Sequence, residues 1–518
     1  MTCDCLQSYS LEATKVNIGP ALLLALCLYL GLIAVHGYRF GDEDMTETLA
    51  YALYMHDQSL FPNDLYIQTV STNIWNERVI FTWMLSRFFP YLEEASFAIH
   101  LISSLFFVLG LLRLSQFFVQ KLSLKLLFLV VCLFLLYNIN LGGNEAWYNY
   151  LMPSQLAKVL GLWALIFFFE GKESVALITL IPATFSQPIV GAQLALLLIS
   201  IIAWQAYQKR AVPKQMLLAL LLLALTAGVW LITVTANQIL EDSSINATTF
   251  LDIMEMRLGH HFFPSYFPAS SWLILVPMIL MATFIWKNRS KKIYYFYILG
   301  IVIALIYTMA VEVMRFPWLV ALQWFKVTVW LKILSVLAIC AWLDRRVLQL
   351  PKSSFVAVSL LVIFGLISIL EIGGKINLFK HKPRHLPGTA YHHAEMTLGM
   401  AAKEVLPHQA TLVAPPYVTG FRYFSQRSLY IDYKSNIHSR KYLAEASRRR
   451  ELLYGMTLEQ RRSGMHPVIQ GNEFYHQLDE EVFLSLKKDG LTHVITEKRK
   501  KLNLPVVIEN DLFYLYEL

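Results

Sequence analysis

The sequence predicts a polytopic α-helical membrane protein of about 11 transmembrane helices, ending in a small C-terminal α/β extracytoplasmic domain. Three observations predict it. Of 518 residues, 56% are apolar and only 15% charged, with a mean hydropathy of +0.49, whereas a soluble domain carries about 25% charged residues. Before residue 372, apolar runs approach or exceed the ~20 residues that span a bilayer. From about Ile372 onward charge returns and the chain reads as ordinary globular protein. The chain therefore divides into a membrane part, 1–371, and a soluble part, 372–518.

The runs are 17–36, 93–112, 124–140, 153–171, 173–188, 189–207, 214–236, 271–287, 293–312, 318–343 and 354–371. The first reads as an uncleaved span, too long for the core of a signal peptide. Pro182 and Pro188 are expected to break the fifth. The stretch 316–326 reads as an interfacial helix ahead of the tenth, with Lys326 and Lys332 costly at mid-bilayer. Orientation follows from the short loops, because Lys and Arg gather on the cytoplasmic side. Arg113, Lys121 and Lys125 mark one such loop; Lys209, Arg210 and Lys214 a second; Lys287, Arg289, Lys291 and Lys292 a third; Arg345, Arg346 and Lys352 a fourth. The alternate loops are poor in basic residues: 141–152 has none, 237–270 only Arg257, and 37–92 only Arg39, Arg78 and Arg87. A cytoplasmic N-terminus and an extracytoplasmic C-terminal domain result. Cysteine use fits a bacterial or organellar inner membrane, of which the bacterial inner (plasma) membrane is the one expected: Cys27, Cys132 and Cys340 lie in apolar runs, and Cys3 and Cys5 in the N-terminal tail cannot complete a zinc site by themselves.

The external loops carry the polar chemistry. Loop 37–92 opens on Arg39 and then three consecutive acids, Asp42, Glu43 and Asp44. They read either as a solvated loop start or as a carboxylate site at the membrane surface, serving as general base or binding a divalent metal such as Mg or Mn. Loop 141–152 offers Asn144 and Glu145 among aromatics suited to the interfacial belt. Loop 237–270 carries Arg257 and the pair His260-His261. Adjacent side chains diverge and zinc needs three protein ligands, so substrate contact or structure is expected of the pair, and no residue is assigned as a metal ligand. Arg315, Gln323 and Lys326, at headgroup level, can hold a lipid phosphate or simply snorkel.

In the soluble part, 389–406, 437–454 and 474–489 read as helices, and 410–414, 428–432, 492–496, 505–509 and 512–516 as strands. The part holds 21 Lys and Arg against 15 Asp and Glu, a net of +6 out of the chain's +8. A solvated basic surface or contact with anionic headgroups or glycans accounts for this, and nucleic acid is not expected outside the cell. There is no nucleotide-binding loop, no G-x-S-x-G and no H-E-x-x-H, so ATP-driven transport and serine or zinc hydrolysis lack support.

With an N-in first span, Asp42-Glu43 early in the first external loop, about 11 spans and an external C-terminal domain, the chain resembles the GT-C class of membrane glycosyltransferases. Asp42-Glu43 is similar to the Asp-Glu pair of protein O-mannosyltransferases. The run 422–428 and the closing Phe513-Tyr514-Leu515-Tyr516 resemble poorly characterised bacterial members of this type. The resemblance implies an enzyme that moves a sugar from a polyprenyl-phosphate carrier to an acceptor. Asp42 or Glu43 would be the base, with Asp44 beside them. Arg315 and Lys326 are the expected cations for the leaving phosphate, backed by Arg257 and His260. It implies a lipid-linked donor and membrane lipids as partners, and no certain cofactor beyond a divalent metal in some members. The competing class is a transporter or glycan-export component using the same cavity; no internal repeat supports it.

Overall fold

An apolar segment that leaves water must satisfy its own backbone, and the α-helix does so within one stretch of chain. The computed structural model describes every residue except 1–17, 43, 241–244, 347–353, 377, 379–381, 390, 392 and 465. Seven of its helices are long and apolar enough to cross a membrane: Ile18–His36, Leu92–Gln116, Pro188–Lys209, Lys214–Asn237, Ala269–Lys287, Lys291–Val313 and Pro317–Arg346. Length alone does not carry the expected count of about 11. Leu122–Leu135, Pro153–Phe169 and Glu173–Ser186 are apolar but shorter; at about 1.5 Å per residue, a 14-residue helix rises only about 21 Å. Ser354–Ile372 is a further helix, of 19 residues.

The shortening has local causes. The third run was expected to continue to 140, but its helix ends in a π turn, Val131–Leu135, ahead of Gly142 and Gly143, whose φ values are +78° and +61°. Glu173–Ser186 holds Pro182 within it and stops at Gln187, because Pro188 opens the next helix at its first position. The stretch 316–326 is not one interfacial helix. It forms a single turn, Pro317–Val320, then Gln323 in the left-handed region (φ +44°), then a 3₁₀ turn, Trp324–Val327, leading into Thr328–Arg346.

Four tryptophans, Trp147, Trp286, Trp324 and Trp330, are fully buried in the helical core. A buried indole N–H left unpaired costs a few kcal/mol. Trp147 donates to Ser104 Oγ (2.9 Å), Trp286 to the Leu334 carbonyl (3.2 Å) and Trp324 to the Gly300 carbonyl (3.1 Å). Lys332 avoids exposure of its charge by donating to the Leu136 and Ile139 carbonyls, at 2.6 and 2.7 Å, where the π turn has released them.

The polar ends gather at two poles. At one, Arg113 and Lys172 pair with Glu170 (2.8 and 2.7 Å), Lys292 with Glu173 (2.7 Å), and Asp344 accepts from the Gln120 backbone (2.8 Å). At the other, loops 37–92, 141–152 and the segment after 245 meet the C-terminal region. There β1 (Thr411–Val413), β2 (Ser428–Leu429), β3 (His493–Glu497), β4 (Val506–Glu509) and β5 (Phe513–Glu517) form one sheet in the order β2-β1-β3-β5-β4. The strands β2, β1 and β3 run parallel; β5 is antiparallel to β3 and β4. Helices Ala394–Val405, Arg440–Tyr454 and Pro467–Gln477 pack with it, giving a small α/β unit. The expected helix 474–489 is instead broken by extended Leu478 between Pro467–Gln477 and Glu480–Ser485.

Candidate functional site

A cavity of about 600 Å³ opens at the carboxyl ends of parallel β1 and β2. Ligands of α/β units bind at this edge, where the loops leaving parallel strands splay apart. Pro416, Tyr417 and Thr419 follow β1 into its wall, Tyr433 and Lys434 follow β2, and Asp42 enters from the first long loop. His393, Glu395 and His466 complete its polar lining.

Asp42 is held there by a threaded backbone. Tyr38 pairs with the 383–385 segment: its N–H donates to the Pro383 carbonyl (2.9 Å) and its carbonyl accepts from His385 (2.8 Å). Arg39 N–H donates to the Asn149 carbonyl (2.9 Å) and Phe40 N–H to His385 Nδ1 (3.3 Å). Gly41 then turns with φ +69°, and a Cβ there would run into the Phe424 ring. The Asp42 carboxylate accepts from Thr419 Oγ1 (3.1 Å) and faces Arg39 (3.5 Å). Glu43 lies outside the described residues.

Asp44 stands before helix Met45–His56 and pairs with Lys434 at 3.0 Å, across 390 residues of sequence. Desolvation works to raise its pKa; Lys434, His261 and Arg78 outweigh it and hold the carboxyl below its ordinary value. Lys326 is within electrostatic reach of both Asp44 and Arg78. His261 donates from Nδ1 to the Gly142 carbonyl (3.2 Å), and its ring lies where a Cβ on Gly143 would sit. Desolvation, His260 and Lys326 push its pKa well below the ordinary imidazole value. Asn144 donates to the Lys326 carbonyl (2.9 Å), which ties the second loop to the segment carrying that lysine.

The remaining expected residues are engaged elsewhere. Arg315 pairs with Glu255 (2.6 Å) and Asp252 (3.0 Å), which spends its guanidinium on helix Ala247–Phe262 rather than turning it toward the acids. Arg257, buried, stacks on the Tyr433 ring at 3.9 Å and donates to the carbonyls of Tyr433 and Lys434, so it fixes the loop that presents Lys434. Gln323 receives Gln193 on its carbonyl (2.9 Å), and its buried Oε1 has no partner among the described residues. Glu145 supplies its carbonyl, and negative charge nearby, to buried Lys158. His260 stacks beside His261, with ring centres 4.1 Å apart.

Three groups escaped the sequence reading: Lys434, Thr419 and a buried clamp. In the clamp Arg422 donates to Asp64 (2.7 Å), Ser435 (2.6 Å) and Asp432 (2.5 Å). Asp64 also caps helix Leu65–Thr72 and accepts from the Leu429 N–H (2.9 Å). Beside it, buried Glu47 pairs with Arg78 and accepts from the Asn436 N–H (2.8 Å). Charged residues closing a predicted strand, as Asp432 and Lys434 do after Leu429-Tyr430-Ile431, were the available signal. Among the described residues no three His, Cys, Asp or Glu side chains are grouped to hold a metal ion. With Asp44 given to Lys434, the described donors there do not by themselves make up a divalent-metal site.

The fold and site thus define a helical protein with several membrane-length spans and a polar, acid- and lysine-lined cavity under a small α/β unit. In comparisons with known proteins, no family model matches this chain and no curated protein matches it.

Proposed function

We propose that this protein is a GT-C-type membrane glycosyltransferase, which takes a sugar from a polyprenyl-phosphate carrier and passes it to an acceptor on the extracytoplasmic face of a bacterial inner membrane. The observation that carries the reading is that Asp42 and Lys434 line one cavity of about 600 Å³, at the pole away from the basic short loops. The charge asymmetry of those loops supports a cytoplasmic N-terminus and an extracytoplasmic cavity. The partners are then a lipid-linked donor and the surrounding lipids.

The Asp42 carboxylate takes the proton from the acceptor hydroxyl. The acceptor oxygen forms its bond to the anomeric carbon as the bond from that carbon to the phosphate oxygen breaks, and the leaving polyprenyl phosphate keeps the electron pair. Lys434, with Lys326 behind it, supplies positive charge for that phosphate. Asp44 positions Lys434, and Arg257 fixes its loop. Arg315 drops out of this role because Asp252 and Glu255 hold it on helix Ala247–Phe262, outside the lining of the cavity. No step is routed through a metal.

The test replaces Asp42 by Asn and Glu43 by Gln singly, confirms expression, and analyses surface glycans and lipid-linked sugars. Asp42→Asn is expected to lower transfer by roughly 10²–10⁴-fold, the usual worth of a general base, with donor accumulating. Unchanged glycans in both variants, beside a glycan defect in the deletion strain, would sink the catalytic reading.

A further inference from the structure

At the pole opposite the cavity lies a second recess of about 250 Å³. It is formed by the end of Pro188–Lys209, the start of Lys291–Thr308 and the first residue of Glu173–Ser186. Lys209, Lys291 and Lys292 line it against a single acid, Glu173, which Lys292 already holds at 2.7 Å. Lys292 is further fixed to the Phe168 carbonyl (3.2 Å). Lys209 and Lys291 are exposed at the rim. Two of the lysines open a helix, where the free N–H groups and the dipole are already positive, an arrangement that costs stability unless an anion completes it.

The recess also has the marks of membrane-interface depth. Trp204, in its wall, is 47% exposed and stacks with Tyr207 at 6.0 Å; exposed tryptophans of this kind sit at headgroup level. On the same helix face, Ser200 and Leu196 follow at four-residue steps, Ser200 half-buried and Leu196 exposed. On the other helix, Tyr295 is followed by exposed Ile298 and Val302. An apolar stripe thus leads away from a cluster of cations, as an acyl chain leads away from its headgroup.

We propose that this recess binds the phosphate headgroup of an anionic membrane lipid. The lysines meet the phosphate, Trp204 and Tyr295 flank the glycerol region, and the stripe accepts an acyl chain. The apolar stripe favours a lipid over free phosphate. The inference stands apart from sugar transfer, since it needs only the membrane placement.

The full chain, purified in detergent, is titrated with phosphatidylglycerol, phosphatidylcholine and inorganic phosphate. Phosphatidylglycerol is expected to bind at least about tenfold tighter than phosphatidylcholine, and Lys209→Gln/Lys291→Gln to erase roughly that factor. Lys214→Gln/Lys287→Gln removes the same charge from the same pole outside the recess, and is expected to bind as the unaltered protein does. Should the first double variant aggregate, Lys291→Gln alone is expected to lose roughly threefold. Equal loss in both double variants would assign the effect to a diffuse basic surface and overturn the proposal. So would the absence of any preference in the unaltered protein, or inorganic phosphate binding as tightly as phosphatidylglycerol.

Discussion

Arg422 shows what a single residue contributes to this molecule. Its guanidinium is only 3% exposed, and it holds Asp64 of the first loop and Asp432 of the C-terminal unit in one grip. Burial works to raise the Asp432 pKa, but Arg422 and the hydroxyl and N–H of Ser435 outweigh it and bring the carboxyl down to about 2. An unfolded Asp titrates near 3.9, so the group contributes stability that is full above about pH 4 and is lost as pH falls toward 2, on the order of 2 kcal/mol. Asp432→Asn should therefore flatten the acid limb of the stability curve between pH 4 and 2. At pH 7 it should cost about 3 kcal/mol, the low end for a broken buried pair because Asp64 remains. Urea unfolding of the full chain, followed by tryptophan fluorescence across pH, measures both; parallel acid limbs in the two proteins would assign the loss to other carboxylates. None of this was legible in the sequence. Asp64 and Arg422 stand 358 residues apart, as remote as Asp44 and Lys434, and composition carries no record of which distant charges meet. Asp42 could be singled out because the two residues that follow it are also acids, a local signal.

At the scale of elements, helix Ala247–Phe262 touches both the span-side turn Pro317–Val320 and the helices of the C-terminal region. It departs from helical geometry at Leu258 (φ −130°), and Gly259 lets the Tyr266 ring close against it. Buried Glu255 on this helix accepts from Arg315 (2.6 Å), Tyr266 (3.0 Å) and Arg462 (3.2 Å), the last from the short helix Leu458–Arg462. Glu255→Gln leaves Arg315 with Asp252 but releases Arg462, which is half exposed, so global stability should fall by only about 1 kcal/mol. Local opening should respond more: trypsin cleavage after Arg461 and Arg462 is expected to quicken severalfold, because cleavage tracks the open population. Cleavage at the unaltered rate would mean that the helix is held by its apolar face instead. Elements of this kind were largely legible, since period and composition are local. Four of the five predicted strands return within a residue or two, as β1, β3, β4 and β5, while β2 keeps only its first two residues. The losses came where a backbone defect decides the outcome: the π turn at 131–135, left-handed Gln323 and extended Leu478. None of these is forced by the residue type at its position.

At the scale of the whole molecule, two poles of opposite character are separated by the apolar helices. One collects the basic short loops, with Glu170, Glu173 and Asp344 as their counter-ions. The other collects the acids of the first loop, the His260-His261 pair and the α/β unit. The α/β unit is itself basic, but long segments translocate largely regardless of charge, so the short loops decide the orientation. If the reading is right, positions 214 and 488 lie on opposite sides of the membrane. Both lysines are exposed, so either tolerates replacement. In a background with Cys3 and Cys5 changed to Ser, the remaining Cys27, Cys132 and Cys340 are buried and should not react. The Lys488→Cys variant is then expected to label with a membrane-impermeant maleimide on intact spheroplasts. The Lys214→Cys variant should label only after permeabilisation. The reverse pattern would put Asp42 on the cytoplasmic side, where no acceptor of an external glycan is reached, and would remove the sugar-transfer proposal along with the topology. Labelling of both variants on intact spheroplasts would mean that the helices between 214 and 488 do not seal the two poles from each other. The seven membrane-length helices would then be core helices of another kind of assembly.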